Sequence, residues 1–300
     1  IMNTLFNTFG LLFRDALSQP ARHSTSGFLS GWLGNGKSAP RSKKEGKVYI
    51  VGAGPGDVEL LTLKALRLIK QADIVLFDAL VGKDVIAEIP RHVKREYVGK
   101  RCGQHSMKQQ EISAKVVELA KAGHCVVRLK GGDPALFART CEETMALTEA
   151  NIPFAIVPGI TAASGMSAYT GIPLTDRRCA QSVSFITAHF QNPEAWPDMP
   201  QLAKNVASQT VVVYMGLSRL STLCEELKKQ GIADDWPVAA VENATSPQQR
   251  VIEGTLSSIS EQVSHANVSG PTLLIFGKVV ESRQLVNTSL LHNKQHVSAI

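Results

Sequence analysis

Gly131, Gly132 and Asp133 close an apolar run, Val127-Arg-Leu-Lys-Gly-Gly-Asp-Pro134, and their types suit ligand binding. Two glycines remove two Cβ atoms where a ligand must approach the backbone, and an aspartate accepts hydrogen bonds from an amine or a hydroxyl. A tight turn without chemical consequence accounts for the same letters equally well. A second glycine-rich stretch, Gly52-Ala-Gly-Pro-Gly-Asp57, also follows an apolar run and precedes a helical pattern, the arrangement of a ligand site at a first crossover. The dinucleotide fingerprint would need a third glycine where Asp57 stands, and Pro55 fixes the loop where that motif needs a close helix start. A nicotinamide or flavin site is therefore the weaker reading. Asp78 and Lys100 stand just beyond two further expected strands, at 74–77 and 94–98. From position alone, a helix N-cap for Asp78 and a solvated charge for Lys100 are as open as catalysis.

Such residues act together only if strand ends are gathered at one edge, and the sequence provides for that. Strands are expected at 47–51, 74–77, 94–98, 125–129 and 154–157, alternating with helices near 83–88, 109–122 and 142–150. This alternation predicts a mostly parallel, helix-covered sheet with ligands at its carboxyl edge. After Pro158 the Ala, Ser and Gly content up to Gly171 predicts a tightly packed helix. Strands at 182–187, 210–214, 238–241, 250–253 and 272–276, with helices near 220–230 and 257–264, then predict a second α/β domain with a mixed sheet. The chain divides into a leader at 1–46, expected to be disordered or partly helical, an N-terminal α/β domain at 47–165, a C-terminal one at 166–280 and a polar tail at 281–300.

Composition narrows the classes. The 300 residues are 44% hydrophobic, enough for one large or two ordinary cores, and no run approaches the roughly 18 apolar residues of a membrane span. Five cysteines scattered singly, without paired metal-ligand spacing, suit a reducing compartment and predict mostly ordinary core thiols. The formal charge is +6, but residues 1–47 hold seven Lys or Arg against two acids, a net of +5. A nearly neutral body argues against general nucleic-acid binding.

Eight motifs in order then resemble one family. They are 52–65 (GAGPGDVELLTLKA), 72–78 (ADIVLFD), 98–101 (VGKR), 129–134 (LKGGDP), 157–164 (VPGITAAS), 171–175 (GIPLT), 214–216 (YMG) and 241–245 (VENAT). Together they resemble the uroporphyrinogen-III C-methyltransferases of the tetrapyrrole methylase family. The resemblance implies two α/β domains with the active site in the cleft between them and S-adenosylmethionine as cofactor, released as S-adenosylhomocysteine. It implies C-methylation of uroporphyrinogen III at C2 and C7 to precorrin-2, for sirohaem or cobalamin-type pathways, by a cytoplasmic homodimer without a metal. The implied cofactor contacts are Pro55, Gly131, Gly132, Asp133, Leu136, Thr161, Ala162, Met215, Ala244 and Thr272. Asp78 and Lys100 would be the proton acceptor and donor. A basic lining for the substrate carboxylates would draw on Arg101, Arg139 and Arg177, with Arg128, Lys130 and Arg178 as further candidates.

The chain departs from the family pattern at Ala135, Ala138, Thr140 and Cys141, where the family usually has a phenylalanine and three glycines, and at Asp176, where it usually has a histidine. These departures fall on the substrate side. A relative acting on another precorrin or on a non-tetrapyrrole acceptor, or a weakly active paralogue, is the alternative they leave open.

Overall fold

The computed structural model describes residues 45–99, 107–192 and 195–291. Residues 1–44 of the expected leader, Lys100, Arg101, Cys102 and the last nine residues of the expected tail lie outside them.

The first sheet is wholly parallel. Its strands are β1 (Lys47–Gly52), β2 (Ile74–Phe77), β3 (Lys94–Tyr97), β4 (Cys125–Lys130) and β5 (Phe154–Val157), in the order β3-β2-β4-β1-β5. Helices α1 (Leu63–Gln71) and α2 (Lys83–Ala87) cover one face, where Leu68, Ile69 and Val85 pack on Val51, Val75 and Leu129. Helices α3 (Gln109–Lys121) and α4 (Thr140–Glu149) cover the other, where Ile112, Val116 and Leu147 pack on Ile50, Leu76 and Val126. Burial on both faces explains why the inner strands β2 and β4 and most of β1 are apolar, whereas the edge strands β3 and β5 are largely exposed. The crossover that leaves β1 runs toward β2, whereas the one that leaves β4 runs over β1 to β5. The carboxyl ends of β1 and β4 thus flank a topological switch point, where open α/β sheets place their ligands.

Helix α5 (Ala162–Thr170) leads into the second sheet, of β6 (Val183–Thr187), β7 (Thr210–Tyr214), β8 (Pro237–Glu242), β9 (Arg250–Thr255) and β10 (Thr272–Phe276), ordered β6-β7-β10-β8-β9. Only β6 and β7 pair in parallel, so the sheet is mixed as expected. Ala163 and Met166 of α5 pack on Val212, Val241 and Leu273 of one face. Helices α6 (Met199–Ser208), α7 (Leu220–Lys229) and α8 (Ile259–His265) cover the other, through Leu202, Leu223 and Ile259.

Helix α6 was not among the expected elements, although its start is written in the sequence: Asp198 accepts the N–H of Gln201 and Pro200 sits in the first turn. In the tail, Arg283 donates to the Thr170 carbonyl and Gln284 N–H to that of Gly171, which ties the stretch after 280 to the end of α5. Cys125 and Cys224 are buried core thiols, but Cys141 is exposed. No helix among the described residues is long and apolar enough to cross a membrane.

Candidate functional site

Three strand ends meet so closely that only glycines fit. Gly54 and Gly132 exchange backbone hydrogen bonds, 3.2 and 2.7 Å, which join the loops after β1 and β4. A Cβ on Gly159, beyond β5, would stand 2.4 Å from the Gly132 carbonyl oxygen and 2.9 Å from the Gly52 Cα. The Asp133 carboxylate locks the junction by accepting the Ala135 N–H at 2.7 Å on Oδ1 and the Gly159 N–H at 2.9 Å on Oδ2. Each oxygen keeps a lone pair for a ligand hydroxyl or amine.

The paired glycines Gly131 and Gly132 have different reasons to be there. A Cβ on Gly131 would lie 2.6 Å from Leu80 Cβ and 2.9 Å from its carbonyl oxygen, so the missing side chain is replaced by protein, not by ligand. Gly132 has φ +67°, a left-handed conformation that glycine adopts freely, and a Cβ there would meet only the Ala162 N at 3.8 Å. The open space of this junction therefore lies on the Gly132 side, toward the amino end of α5.

The second sheet closes that space from across. Thr161 is the N-cap residue of α5, yet its hydroxyl does not cap the helix: it bonds the Tyr214 hydroxyl at 2.7 Å, and the same Tyr214 oxygen accepts the Ala163 N–H at 3.1 Å. Burial pushes the Tyr214 phenol above its ordinary range, so it stays a neutral donor and acceptor. The Phe137 ring, from the loop after β4, rests on Tyr214 with centroids 5.0 Å apart. Pro55 lies against Gly165 of α5, where a Cβ would come within 2.6 Å of the proline ring. Thr245, beyond β8, accepts the Asp57 N–H at 3.2 Å. Ala162, Tyr214 and Ala244 pack on one layer of the second sheet, while Thr272 opens β10 and hydrogen-bonds the Gly270 carbonyl.

Backbone strain collects around the same junction. Phe137 (φ +52°), Arg139 (+54°), Met215 (+55°), Asn243 (+49°) and Thr245 (+67°) are all left-handed, a conformation that costs non-glycine residues and concentrates at functional sites. Tyr214, Phe137 and Thr245 were absent from the expected site. The signal for Tyr214 was its place one residue before Met215, at a strand end. Asp57, which stands where a nucleotide fingerprint would have glycine, starts a 3-10 turn by accepting the Glu59 N–H and takes a hydrogen bond from Tyr169 at 2.7 Å.

Asp78 follows β2 directly. It does not cap α2, whose N-cap is Gly82; instead Oδ1 accepts the Leu80 N–H at 3.1 Å and Oδ2 takes Arg128 Nη2 at 3.2 Å. The Leu80 and Gly131 contact sets this turn beside the Gly-Gly-Asp loop. Arg128 and Lys130, candidates for the substrate lining, do not serve it. Each side chain is only 4% exposed, and both pair with Glu143 of α4, at 3.2 and 2.9 Å. Their strand is buried throughout, so their charge is met internally, by Glu143 and, for Arg128, by Asp78 as well. Burial holds the Lys130 ammonium below its ordinary range, against the pull of Glu143. Gly99, the last described residue before Lys100 and Arg101, packs against Ala79: its Cβ would stand 2.8 Å from that residue's N.

Among the other basic candidates, Arg139 is exposed and pairs with Glu142 at 2.7 Å. Arg177 is exposed on the turn closed by the Asp176 and Ala180 bridge. The departures are accommodated locally. Thr140 donates to the Pro134 carbonyl at 2.5 Å and so closes the loop that carries Leu136, Phe137 and Arg139. Asp176 grips the Arg178 guanidinium, which holds its own carboxyl well below the usual range and takes Arg178 out of the free cations.

Fold and site together define an α/β protein that offers a small-molecule ligand a glycine-lined junction at a parallel-sheet switch point, closed by a mixed sheet. Residues 47–260 match the family model of the tetrapyrrole (corrin/porphyrin) methylases, and the chain belongs to that family. It is 50% identical over 240 residues to the siroheme synthase of Acinetobacter baylyi, a match covering 80% of this chain and 52% of that protein. The siroheme synthase of Pseudomonas fluorescens is 50% identical over 239 residues, covering 80% and 51%. The chain thus spans about half the length of the curated relatives it matches. Among solved structures, the uroporphyrin-III C-methyl transferase of Thermus thermophilus, complexed with S-adenyl homocysteine, is 38% identical with a TM-score of 0.68, covering 79% of this chain and all of that one. A cobalt precorrin-4 methyltransferase is 27% identical with a TM-score of 0.70, covering 81% and 99%.

Proposed function

We propose that this chain methylates uroporphyrinogen III at C2 and C7, with S-adenosylmethionine as donor, to give precorrin-2. The observation that carries the reading is the open, left-handed Gly132 facing the Ala162 N–H at a switch point. It offers a bulky nucleoside both access and backbone polar groups. When bound, the cofactor supplies an activated methyl group with a thioether as leaving group. Gly132, Thr161 and Ala162 would hold it by the backbone, the spare lone pairs of Asp133 would take its hydroxyl or amine groups, and Leu136, Met215 and Ala244 would wall its base. Gly131 contributes its backbone only, since Leu80 fills the space of its side chain.

The protein has two further tasks: to hold a substrate carbon in line with the methyl group, and to accept the proton lost as the carbon–carbon bond forms. Asp78 fits the second, because it is an anchored carboxylate at a strand end beside the Gly-Gly-Asp loop, and Lys100 is its proposed partner. Arg101, Arg139 and Arg177 are the proposed contacts for substrate carboxylates. In the same reading the chain folds as two α/β domains, acts as a cytoplasmic homodimer and has no nucleic-acid partner.

Anaerobic incubation with uroporphyrinogen III and methyl-labelled S-adenosylmethionine tests the activity. Two labelled methyl groups per tetrapyrrole are expected. A protein that binds the cofactor but leaves uroporphyrinogen III unlabelled while labelling another precorrin would move the assignment to that acceptor.

A further inference from the structure

We propose that Arg128 and Glu143 are positioning residues that act on the reaction through Asp78. This rests on the methyltransferase reading above, and on Asp78 as the carboxylate that handles the proton.

The basis is a chain of ionic groups that runs from the interior of the first sheet to its carboxyl edge. Glu143 is 1% exposed, and three donors converge on its Oε1: Arg128 Nε at 3.2 Å, Lys130 Nζ at 2.9 Å and Gln109 Nε2 at 3.0 Å. Its Oε2 has no partner among the described residues. The Arg128 guanidinium is fixed on all three nitrogens, by Glu143, by the Leu129 carbonyl at 2.8 Å and by Asp78 Oδ2 at 3.2 Å. Asp78 ends the chain, and at 24% side-chain exposure it alone among the four charged groups faces outward.

This arrangement is not what stability requires. Well-packed apolar side chains at buried ion-pair positions are often as stabilising as the ions, so a strand of Val and Leu would have served the fold. The ions provide direction instead. With Leu80 N–H on one oxygen and a guanidinium that cannot rotate on the other, the Asp78 carboxylate has a set plane, and its remaining lone pairs point one way. Two cations and two anions also balance the cluster, so Asp78 completes the charge of a buried group as well as meeting substrate. Arg128 and Lys130 are therefore invisible to the substrate itself.

The test is a double-mutant cycle on kcat with S-adenosylmethionine affinity measured beside it. Arg128→Met should lower kcat between roughly 10- and 100-fold, the scale of a misplaced catalytic group, with cofactor Kd within about twofold of wild type. Arg128→Lys, which keeps the charge, should recover part of the loss, and Glu143→Gln should lower kcat without changing Kd. The decisive comparison is Asp78→Asn with Asp78→Asn/Arg128→Met: a residue that acts only through Asp78 costs nothing further once Asp78 is gone, so the two should turn over equally. Multiplying losses in the double variant, or wild-type kcat in Arg128→Met, would overturn the proposal while leaving Asp78 catalytic. Wild-type kcat in Asp78→Asn would remove Asp78 from the mechanism and the proposal with it. Should Arg128→Met fail to fold because a buried charge is stranded, the Lys and Gln variants carry the same comparison: equal turnover in Asp78→Asn and Asp78→Asn/Arg128→Lys supports the proposal, unequal turnover overturns it.

Discussion

Gly131 and Gly132 are adjacent and identical, yet adding one methyl group should affect the protein in two separable ways. At Gly132 the alanine methyl meets no protein atom closer than the Ala162 N at 3.8 Å, so the cost to the fold is the left-handed backbone alone, φ +67°. That is about 1–2 kcal/mol, a fall in melting temperature of about 2–8 °C for a domain of this size. The methyl does occupy the space assigned to the nucleoside, and a tenfold loss of affinity, about 1.4 kcal/mol, is the least expected. At a cofactor concentration of about 100 wild-type Kd, ligand stabilisation is then about 1.4 kcal/mol instead of about 2.7, so the ligand-induced rise in melting temperature should be halved. At Gly131 the methyl is driven to 2.6 Å from Leu80 Cβ, overpacking that should cost about 1–3 kcal/mol while most of the ligand-induced rise survives. Thermal unfolding of both variants with and without S-adenosylmethionine, with calorimetric titration as a check, separates these effects. A full ligand-induced rise in Gly132→Ala, or its loss in Gly131→Ala alone, would refute the placement of the open space.

Tyr214→Phe keeps the ring on Phe137 but strands the Ala163 N–H and frees Thr161; the loss of about 1–2 kcal/mol should appear as a roughly 5- to 30-fold rise in cofactor Kd by calorimetry. Thr140→Val removes the hydrogen bond to Pro134 and should lower the melting temperature by about 2–4 °C, with a weaker cofactor affinity by calorimetry because the loop it closes carries Leu136. For Glu242, burial raises the carboxyl, but the Gly270 and Ser269 N–H groups and Arg250 outweigh it, and the net position is below the ordinary value. A carboxyl depressed on folding adds stability that is complete above its unfolded value, near 4.3, and is lost as pH falls through the folded one. In chemical denaturation the advantage of wild type over Glu242→Gln should therefore hold from about pH 7 to 5 and shrink toward pH 3; an advantage that grows on acidification contradicts this.

Much of this molecule could be read from its letters, because buried parallel strands are short apolar runs and their ends are marked by glycine. β2, β5, β7 and β10 begin and end at the residues expected, and the loops after β1 and β4 do meet at one junction. Partnership could not be read. Arg128 and Lys130 read as candidates for the substrate lining, and only the fold shows that Glu143 of α4 pairs with both. For the same reason the letters left a helix cap and catalysis equally open for Asp78; the fold shows that it does not cap α2 and is held by Leu80 N–H and Arg128. Gly131 and Gly132 are indistinguishable as letters; Leu80, brought up by a different turn, makes the difference. Tyr214 resembles any strand aromatic until Thr161 and Ala163 arrive at its hydroxyl. Asp198 and Pro200, by contrast, mark the start of α6 with signals that are local and legible in the letters.

Whether the junction of Gly132, Thr161 and Met215 holds the cofactor, with Asp78 beside the reaction, is decided by a crystal structure with S-adenosylhomocysteine. The nucleoside should lie against the open side of Gly132 and the amino end of α5, with polar contacts to Asp133 and with Asp78 still paired to Arg128 near the sulfur. Density for the ligand at another strand edge, with the Gly132 side filled by protein, would contradict it.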